Sequence, residues 1–367
     1  MRPDYVVVGT GLTGAVFARV LQDAGHRVLA VERRSHVGGN VHDTVHPSGI
    51  RVHSYGPHYF RTSSARVWSF VSRYARFYRY EARVKSNVDG ARENWPVAAS
   101  YVRRLCGADW HCAPDPAPGN LEEAALALMP RVVYERFVKE YNEKQWSVPC
   151  RQLSAELCRR FDIRLDDDPR LTPHARFQGL PFVGYASFMS RLLAGVPIVL
   201  NCDYLETRQD FRPRRMTIYT GPIDAYFGYA LGRLAYRGQR RETTYLPDTD
   251  WFQEVAQINE PLHAGGPHVR TLEWKHVMPA GRTQRTRGTV LTRETPCWPD
   301  RPDGYEYPFP DATNAARYAS YRALAQEVPE VLICGRLGEY RYYDMDQAIA
   351  RALHLVRAHL ANPRHPA

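Results

Sequence analysis

Residues 5–14, YVVVGTGLTG, decide the fold class of this chain. The apolar run Tyr5–Val8 is typical of a buried parallel strand, and apolar residues recur at helical spacing from 15 to 21. A second apolar strand, Arg27–Val31, follows that helix and ends at Glu32. The segment therefore predicts a β-α-β unit with a glycine-rich turn after its first strand.

Three glycines in that turn have the spacing of a dinucleotide-binding fingerprint. Gly9 allows the tight turn, Gly11 lets the backbone approach a pyrophosphate, and Gly14 lets the helix pack against the strand. Glu32, eighteen residues after Gly14, is placed to accept hydrogen bonds from ribose hydroxyls. A glycine turn without a ligand is the alternative, but the flanking strand and helix favour a dinucleotide site.

Two further features favour FAD over a nicotinamide dinucleotide. Glu32 is followed by residues 33–39, RRSHVGG, a basic pair and then a glycine pair. Near the C-terminus, the apolar strand Val331–Cys334 leads into residues 335–346, GRLGEYRYYDMD, ahead of a helix. Backbone N–H groups at that helix N-terminus can face a flavin ring or its ribityl chain. Ordinary helix capping is the alternative for Asp344 alone.

Charge and composition narrow the class of partner. The 367 residues suffice for two or three domains, and the net charge is +10. Of the 49 basic residues only four are Lys, and arginine offers planar, bidentate donors for phosphate. The arginines are dispersed, no nucleic-acid reader motif occurs, and no apolar run is long enough to span a membrane. A basic protein could bind nucleic acid, a membrane surface or an anionic small substrate, but charge alone favours an ordinary solvated basic surface. We expect no nucleic acid and no membrane partner.

The cysteines and the N-terminus predict a cytoplasmic protein. The seven cysteines are an odd number, and none forms a CxxC pair. This pattern favours reduced thiols over a disulfide framework, and it predicts no metal site. The chain enters a strand almost at once, so we expect no signal peptide.

The patterns along the chain predict one domain interrupted by the others. Helical periodicity dominates residues 120–160, short β-like runs alternate with turns from 197 to 300, and the last strand and helix complete the first domain. The expected division has these parts: FAD-binding segments at 1–75, 176–235 (with sheet) and 311–367, a mostly helical domain at 76–175, and an antiparallel sheet domain at 236–310.

Several of these strings together resemble the UDP-galactopyranose mutase family over nearly the whole chain. The resemblance depends on GPHYF at 56–60, KQW at 144–146, GPID at 221–224 and the string 335–346. GPID and the 335–346 string are highly specific, since FAD enzymes at large lack them. The implied fold class is α/β: a Rossmann-like FAD-binding domain with an inserted helical domain and an antiparallel β-sheet domain. The resemblance implies that the domain at 76–175 binds the substrate and carries a mobile loop.

The resemblance implies an isomerase that interconverts UDP-galactopyranose and UDP-galactofuranose through a reduced-flavin N5 sugar adduct. The cofactor is FAD, active when reduced, and NAD(P)H or another reductant is needed only to reduce it. A closing loop fits this chemistry because water must be excluded from the reaction. The partner is a nucleotide-diphosphate sugar, and a homodimer is a family expectation.

The resemblance also assigns site residues. The catalytic group is Arg160, Arg270, Arg336, Tyr342, Asp344 and His58. The substrate-binding group is Phe137, Tyr141, Trp146, Asn259, Tyr307 and Arg164. The cofactor-binding group is Gly9, Gly11, Thr13, Gly14, Glu32, Arg33, Gly39, Asn40, His58, Gly335, Arg336 and Met345. Within these groups Arg270 would clamp the diphosphate, Arg160 would close over it with Arg164 as its competitor, and His58 would lie near flavin N5.

Each assignment has a structural alternative. Two aromatic residues at i and i+4, such as Phe137 and Tyr141, are most often core packing. An arginine on a strand, such as Arg270, is usually part of a surface ion pair. His58 could equally be a structural histidine held by its neighbours.

Departures from the family pattern occur at substrate-facing positions. Asn142 replaces a common Thr, Arg61 replaces a second histidine, and Trp274 replaces a histidine in the string EWKH. The loop 166–173, DDDPRLTP, lacks the expected tyrosine. These changes keep open the same ring contraction on another nucleotide sugar, such as a deoxy sugar in specialised metabolism. More remote alternatives are an amine-oxidase-like FAD oxidoreductase and a non-catalytic binding protein.

Overall fold

The computed structural model describes residues 2–107, 117–161 and 164–362. Its strands are β1 (Tyr5–Val8), β2 (Val28–Val31), β3 (Asp43–Val45), β4 (Arg51–His53), β5 (Phe60–Thr62), β6 (Phe77–Tyr78), β7 (Val84–Val88), β8 (Ala91–Trp95), β9 (Phe177–Pro181), β10 (Ile198–Val199), β11 (Met216–Tyr219), β12 (Tyr236–Leu246), β13 (Gln257–Asn259), β14 (Arg270–Glu273), β15 (Thr289–Cys297), β16 (Tyr307–Pro308) and β17 (Val331–Ile333).

Its α-helices are α1 (Leu12–Asp23), α2 (Ala65–Ser72), α3 (Ala99–Cys106), α4 (Leu121–Leu128), α5 (Arg131–Val133), α6 (Glu140–Trp146), α7 (Tyr185–Leu192), α8 (Tyr204–Thr207), α9 (Ile223–Tyr226), α10 (Ala280–Thr283), α11 (Ala312–Gln326), α12 (Gly335–Gly338) and α13 (Met345–Ala361). A π-helical segment, Tyr134–Lys139, joins α5 to α6. Short 3₁₀ turns include Ala155–Arg160 and Trp274–Val277.

A parallel sheet forms the centre of the first domain. Within the described part of the chain it has five strands in the order β10-β2-β1-β11-β17. All four residues of β1 are buried, as expected for a strand covered on both faces. Tyr5 lies opposite Val28 on one side and Met216 on the other. The β-α-β unit predicted from residues 5–32 is confirmed.

The sheet combines distant parts of the chain. Strand β17 pairs with β11, and the helix that follows, α13, packs against α1. The hydroxyl of Tyr5 and Nε2 of His359, at the end of α13, are 2.9 Å apart. The predicted return of the C-terminal strand and helix to the first domain is confirmed, and it brings two helix N-termini to one edge of the sheet.

A second sheet carries the side chains that face the first domain. The described residues give it seven strands in the order β16-β12-β15-β14-β13-β7-β8, antiparallel except for the β13–β7 pair. Glu294 lies opposite both Arg241 and Arg270, and Arg270 lies opposite Asn259. Directly opposite residues project from the same face of a sheet. We call Arg241, Glu294, Arg270 and Asn259 the cross-strand row.

The helical segment has its own hydrophobic cluster, which includes Leu121, Val133, Phe137 and Trp146. The segment 76–175, predicted to be mostly helical, also contains the strands β7 and β8 within residues 84–95. These strands join the seven-stranded sheet because β7 pairs with β13, a contact that local sequence does not show. The division into domains otherwise stays a prediction.

Three properties of the described residues bear on location and metal binding. No helix in the described ranges is both long enough and apolar enough to cross a membrane. The same ranges contain no group of three or more His, Cys, Asp or Glu side chains placed to hold a metal ion. The six cysteines within these ranges are free thiols, and Cys112 lies outside them.

Candidate active site

The turn between β1 and α1 forms a cradle for an anion. Gly9 has φ +88°, and a Cβ there would lie 2.3 Å from Oγ1 of Thr220. Gly11 is the N-cap of α1, and no described side chain caps this helix, so its first N–H groups remain free for phosphate. A Cβ at Gly14 would lie 1.9 Å from the carbonyl oxygen of Gly9, so only glycine allows this helix-strand approach. The turn fits a dinucleotide pyrophosphate.

Glu32 at the end of β2 keeps acceptor capacity for a ribose. Its Oε2 accepts from the backbone N–H and the hydroxyl of Thr10, at 2.8 and 2.7 Å, and its Oε1 accepts from Arg34 N at 2.9 Å. A carboxylate offers about four acceptor positions, so one remains for a ribose hydroxyl. The buried Nη1 of Arg34 has no hydrogen-bond partner among the described residues, and an unpaired donor in a cleft suits a polar ligand.

The C-terminal segment meets the same turn. Gly335 has φ +83°, and a Cβ there would lie 3.2 Å from Oγ1 of Thr13. The guanidinium of Arg336 donates from Nη1 to the carbonyl oxygen of Glu306 at 3.2 Å and from Nη2 to that of Tyr343 at 2.6 Å. These two bonds hold Arg336 between the segment before β16 of the seven-stranded sheet and the segment after β17 of the parallel sheet.

A single cleft connects these groups. It is lined by Gly9, Gly11, Thr13, Glu32, Arg33, Gly39, Asn40, His58, Gly335, Arg336 and Met345, all of them predicted cofactor residues. Gly14 is absent from this lining, because it serves the helix-strand contact instead. Other lining residues were not predicted from the sequence, among them Cys202, Asp203, Tyr204, Leu205, Pro302 and Tyr305. Residues 202–205 follow β10, so the signal for them was the rule that ligands lie at the carboxyl ends of parallel strands.

His58 is a neutral residue in a rigid loop. Its Nδ1 lies 2.8 Å from the carbonyl oxygen of Gly56, which can only accept, so Nδ1 carries the proton and Nε2 is left as an acceptor. The hydroxyl of Tyr185 donates to the carbonyl oxygen of His58 at 2.8 Å. Burial, with a smaller effect of His53, lowers the pKa of His58 to about 3. The structural and the functional interpretations of His58 therefore both fit, since the ring is fixed and also lines the cleft.

His53 makes stability depend on pH. It is buried, its Nδ1 accepts from the N–H of His58 at 3.1 Å, and burial followed by the charge of Arg51 lowers its pKa to about 3. The unfolded ring binds more protons below its pKa of about 6.5, so this contribution is complete above that pH and is lost as pH falls towards 3. As the pH falls from 7.5 to 5.5, we expect protonation of His53 in the unfolded chain to lower the free energy of unfolding by about 1 kcal/mol. Urea denaturation at several pH values should show that the free energy of unfolding changes less with pH in His53→Gln than in wild type. An equal change with pH in the two proteins would contradict the prediction.

The cross-strand row places an arginine beside the cleft with its charge held in position. Glu294 is fully buried; Nε of Arg270 donates to its Oε2, and Nε of Arg241 donates to its Oε1 at 2.8 Å. Burial by itself would raise the pKa of Glu294, but Arg270 and Arg241 lower it. Burial lowers the pKa of Arg270, and Glu294, Tyr307 and Tyr141 raise it by more. Arg270 thus stays charged close to Tyr307 and Tyr141.

A second cluster is centred on the ring of Tyr342. The guanidinium carbons of Arg160 and Arg336 lie 4.5 and 4.7 Å from its centroid. The ring of Tyr307 stacks on it with centroids 5.8 Å apart. Burial, partly opposed by Arg270, raises the pKa of Tyr307 to about 12, so its hydroxyl stays a donor at neutral pH. The structure thereby brings together predicted residues from three separate parts of the chain.

Asp344 caps a helix and also contacts two residues near the cluster around Tyr342. It is the N-cap of α13, and its backbone N–H donates to Oε1 of Gln347 at 3.0 Å. Its carboxylate also accepts from the hydroxyl of Tyr342 at 3.4 Å and from Nη2 of Arg61 at 3.1 Å. Arg61, which departs from the family pattern, is therefore an ion-pair partner of this site.

The aromatic residues predicted for the substrate separate into two groups. Tyr141 lies close to Arg160 and Arg270, whose pKa values it raises. Phe137 is 3% exposed and packs on Trp95 and Tyr101, so the structure gives it the core-packing position. The sequence pattern could not distinguish these two positions.

Trp146 supports the site from behind. It is 3% exposed and meets the rings of Tyr307 and Phe309 edge to face, with centroids 6.4 and 5.8 Å apart. This contact fixes the ring of Tyr307 next to Tyr342. Trp146 therefore positions an aromatic residue of the site in addition to any contact with a sugar.

Two other predicted substrate residues are bound to protein partners. Oδ1 of the buried Asn259 accepts from Nε2 of Gln257 at 2.9 Å, and Asn259 lies next to Arg270 in the cross-strand row. Arg164 is 5% exposed, and its Nη2 donates to the carbonyl oxygens of Arg170 and Leu171 at 2.9 and 3.1 Å. Arg164 thus anchors the loop 166–173, and of the two competing arginines it is Arg160 that lies beside Tyr342.

Comparison with protein families identifies the two parts of the chain. Residues 136–342 match the model of the UDP-galactopyranose mutase family. Residues 7–74 match the model of the NAD(P)-binding Rossmann-like domain. The predicted Rossmann-like fold is confirmed by the second match, and the predicted family by the first.

Individual relatives match nearly end to end. A probable UDP-galactopyranose mutase of Klebsiella pneumoniae is 33% identical over 369 residues, 95% of this chain and 93% of the relative. A dTDP-fucopyranose mutase of Escherichia coli is 28% identical over 384 residues, 97% of this chain and 98% of the relative. The crystal structure of a reduced UDP-galactopyranose mutase matches with a TM-score of 0.73 and 15% identity, covering 98% of this chain and 96% of the other. At that identity the structural match concerns the fold.

Proposed function

Because this chain belongs to the UDP-galactopyranose mutase family, we propose that it interconverts UDP-galactopyranose and UDP-galactofuranose with reduced FAD as its cofactor. Members of the family are isomerases, so the reaction has no net redox change. One observation carries the proposal: Arg336 lines the dinucleotide cleft and also contacts Tyr342, the ring on which Arg160 lies. A cofactor site and an anion site thus share one residue.

The residues of the cleft would hold the cofactor in a stated way. The free N–H groups at the start of α1 would bind its pyrophosphate, and Glu32 would accept from a ribose hydroxyl. When bound and reduced, FAD supplies the nucleophile of this reaction class. Nε2 of the neutral His58 would accept a hydrogen bond at the flavin edge.

The arginines would act on the diphosphate. Negative charge grows on it as its bond to the sugar breaks, and charge-assisted donors stabilise that charge more strongly than neutral ones. Arg160 and Arg270 both lie close to Tyr307, whose protonated hydroxyl is a further donor. Held in this way, the diphosphate stays within reach of the sugar and can return to it.

A second candidate is the same ring contraction on another nucleotide sugar. It is favoured by the relative that is named dTDP-fucopyranose mutase. The Arg61–Asp344 ion pair favours it too, because this arginine departs from the family pattern at a residue close to Tyr342. Both candidates share the cofactor and the arginines.

Product analysis with reduced enzyme separates these functions. Purified protein would be mixed with UDP-galactofuranose under dithionite without oxygen, next to an oxidised control and to parallel reactions with dTDP-fucofuranose. We expect UDP-galactopyranose to form only in the reduced sample. Exclusive turnover of the dTDP sugar would establish the second candidate. Hydrogen peroxide release with a consumed substrate in the oxidised control, kept under air so that oxygen can accept the electrons, would instead indicate an oxidoreductase.

Location and assembly belong to the same proposal. A cytoplasmic enzyme agrees with free thiols in the described residues and with a substrate that is a nucleotide sugar. A homodimer is proposed from the family. Light scattering coupled to gel filtration would give the mass of the assembly.

A further inference from the structure

One arginine of the cross-strand row has no task in the proposed reaction. Arg241 donates from Nε to Oε1 of Glu294 at 2.8 Å, and from Nη1 and Nη2 to the two carboxylate oxygens of Glu306 at 2.8 and 2.9 Å. The guanidinium therefore bridges two carboxylates, and its contact with Glu306 is bidentate. This geometry needs the planar fork of arginine and cannot be copied by lysine.

The bridge lies in a buried setting. The Arg241 side chain is 14% exposed, Glu294 is fully buried and Glu306 is 6% exposed. With Arg270, these groups make two positive and two negative charges that balance. Among the ion pairs of the described residues, Arg241 is the sole partner of Glu306. Removal of one partner from a buried pair leaves an uncompensated charge, which is far more costly than removal of both.

The two bridged residues each contact one of the other arginines, Glu294 through its carboxylate and Glu306 through its backbone carbonyl. Glu294 accepts from Nε of Arg270, and the carbonyl oxygen of Glu306 accepts from Nη1 of Arg336 at 3.2 Å. The loop that carries His58 packs on the same groups. A Cβ at Gly56 would lie 2.9 Å from Oε1 of Glu294 and 3.2 Å from Nη2 of Arg241.

These contacts assign a task to Arg241. Resting on the proposed function, we infer that Arg241 is a positioning residue, which holds Glu294 and Glu306 so that Arg270 and Arg336 keep their places at the substrate diphosphate. Without it, we expect the unpaired carboxylate of Glu306 to attract a guanidinium group of the site, either that of Arg336, which already donates to its backbone carbonyl, or that of Arg270, which lies close to the same Tyr307 ring. An arginine whose guanidinium turns towards Glu306 would lose its contact with the substrate diphosphate.

The test compares four variants with the wild-type holoenzyme. Arg241→Met removes the bridge and keeps the aliphatic stem, and Arg241→Lys keeps the charge without the fork. The double variant Arg241→Met with Glu306→Gln also removes the carboxylate that would be left unpaired. Arg240→Met is the matched control, because Arg240 is exposed, lies next in β12 and pairs only with the exposed Glu242 among the described residues.

We expect Arg241→Met to lower kcat/KM by about 100-fold, since displacements of about 1 Å in groups that orient a substrate have effects of this size. The double variant should recover about tenfold of the loss, because it leaves no uncompensated carboxylate. The kcat/KM of Arg241→Lys should lie between those of Arg241→Met and the double variant. The kcat/KM of Arg240→Met should equal that of wild type. The loss should appear in kcat more than in KM, since the arginines act on charge that develops as the bond breaks.

Two further readouts make the result decisive. Binding of UDP, followed by isothermal titration calorimetry, should weaken in Arg241→Met and recover in the double variant. A crystal structure of Arg241→Met should show Arg336 or Arg270 turned towards Glu306. Unmoved arginines, or an equal loss in the single and double variants, would overturn the inference. A wild-type enzyme without turnover would refute the proposed function alone, because the crystal structure still tests the position of the arginines.

Discussion

Replacement of Arg270 by alanine should lower kcat/KM for UDP-galactofuranose by roughly 100- to 1000-fold, the usual effect of removing one donor aimed at developing negative charge. Arg270 projects from the sheet towards Tyr307 and Tyr141, and its charge is assured because Glu294 pairs with it. The diphosphate would lose a positive charge at the moment its own charge grows. Initial rates under dithionite, with products separated by anion-exchange chromatography, give the value.

We expect Arg270→Ala to fold, so that a lower rate can be attributed to the missing arginine and not to unfolded protein. Glu294 keeps Arg241 as a partner, so its buried charge stays compensated. Arg293→Ala is the matched control, since Arg293 precedes Glu294 in β15 and is exposed. Arg270→Lys should restore part of the activity, because it restores charge but not the fork. A rate for Arg270→Ala equal to that of the Arg293 control would exclude Arg270 from the reaction.

Replacement of Gly11 by valine should abolish tight FAD binding while it leaves the protein folded. Apart from the neighbouring backbone, no atom of the described residues lies within 4 Å of a Cβ at Gly11, so the fold has space for a side chain. That space is where the fingerprint places the pyrophosphate. Overpacking costs about 1–3 kcal/mol, which corresponds to roughly a 5- to 150-fold weaker complex. Flavin absorbance of the purified variant, and titration of the apoprotein with FAD, measure the effect.

Two other glycines provide the contrast for Gly11. Gly281→Ala is the control, because no atom lies within 4 Å of its Cβ and it lies in α10, outside the cleft lining. Gly14→Ala should instead destabilise the fold, since its Cβ would lie 1.9 Å from a backbone oxygen. Bound FAD at the wild-type level in Gly11→Val, with an unchanged thermal midpoint, would show that the cleft does not hold the dinucleotide pyrophosphate.

The cluster around Tyr342 and Tyr307 shows which neighbours the sequence predicted and which it did not. The resemblance named Arg160, Arg270, Arg336 and Tyr342, and the structure brings these side chains together around two rings. It also named Phe137, which the structure packs into the hydrophobic core. Aromatic side chains in the core and at a nucleotide site have the same sequence pattern, so only the packing around each ring distinguishes them.

Sequence patterns did not predict the buried network of charges formed by Arg241, Glu294 and Glu306. Strand β12, YRGQRRETTYL, has a polarity typical of an exposed segment, yet Arg241 is mostly buried. Its partners Glu294 and Glu306 are more than fifty residues away along the chain. A charged residue in a sequence predicts exposure by default, and its burial depends on a partner that sequence spacing does not reveal.

The cofactor cradle was determined by the sequence alone, and the arrangement of the anion site was decided by the tertiary structure. The cradle needs a strand, three glycines and a helix within residues 5–21, and conformational limits on glycine act over such short distances. The cross-strand row needs the register of β12, β15 and β14, which sets Arg241 and Arg270 on the two sides of Glu294. Register follows from contacts between residues far apart in the chain, so the folded sheet alone establishes which charges meet.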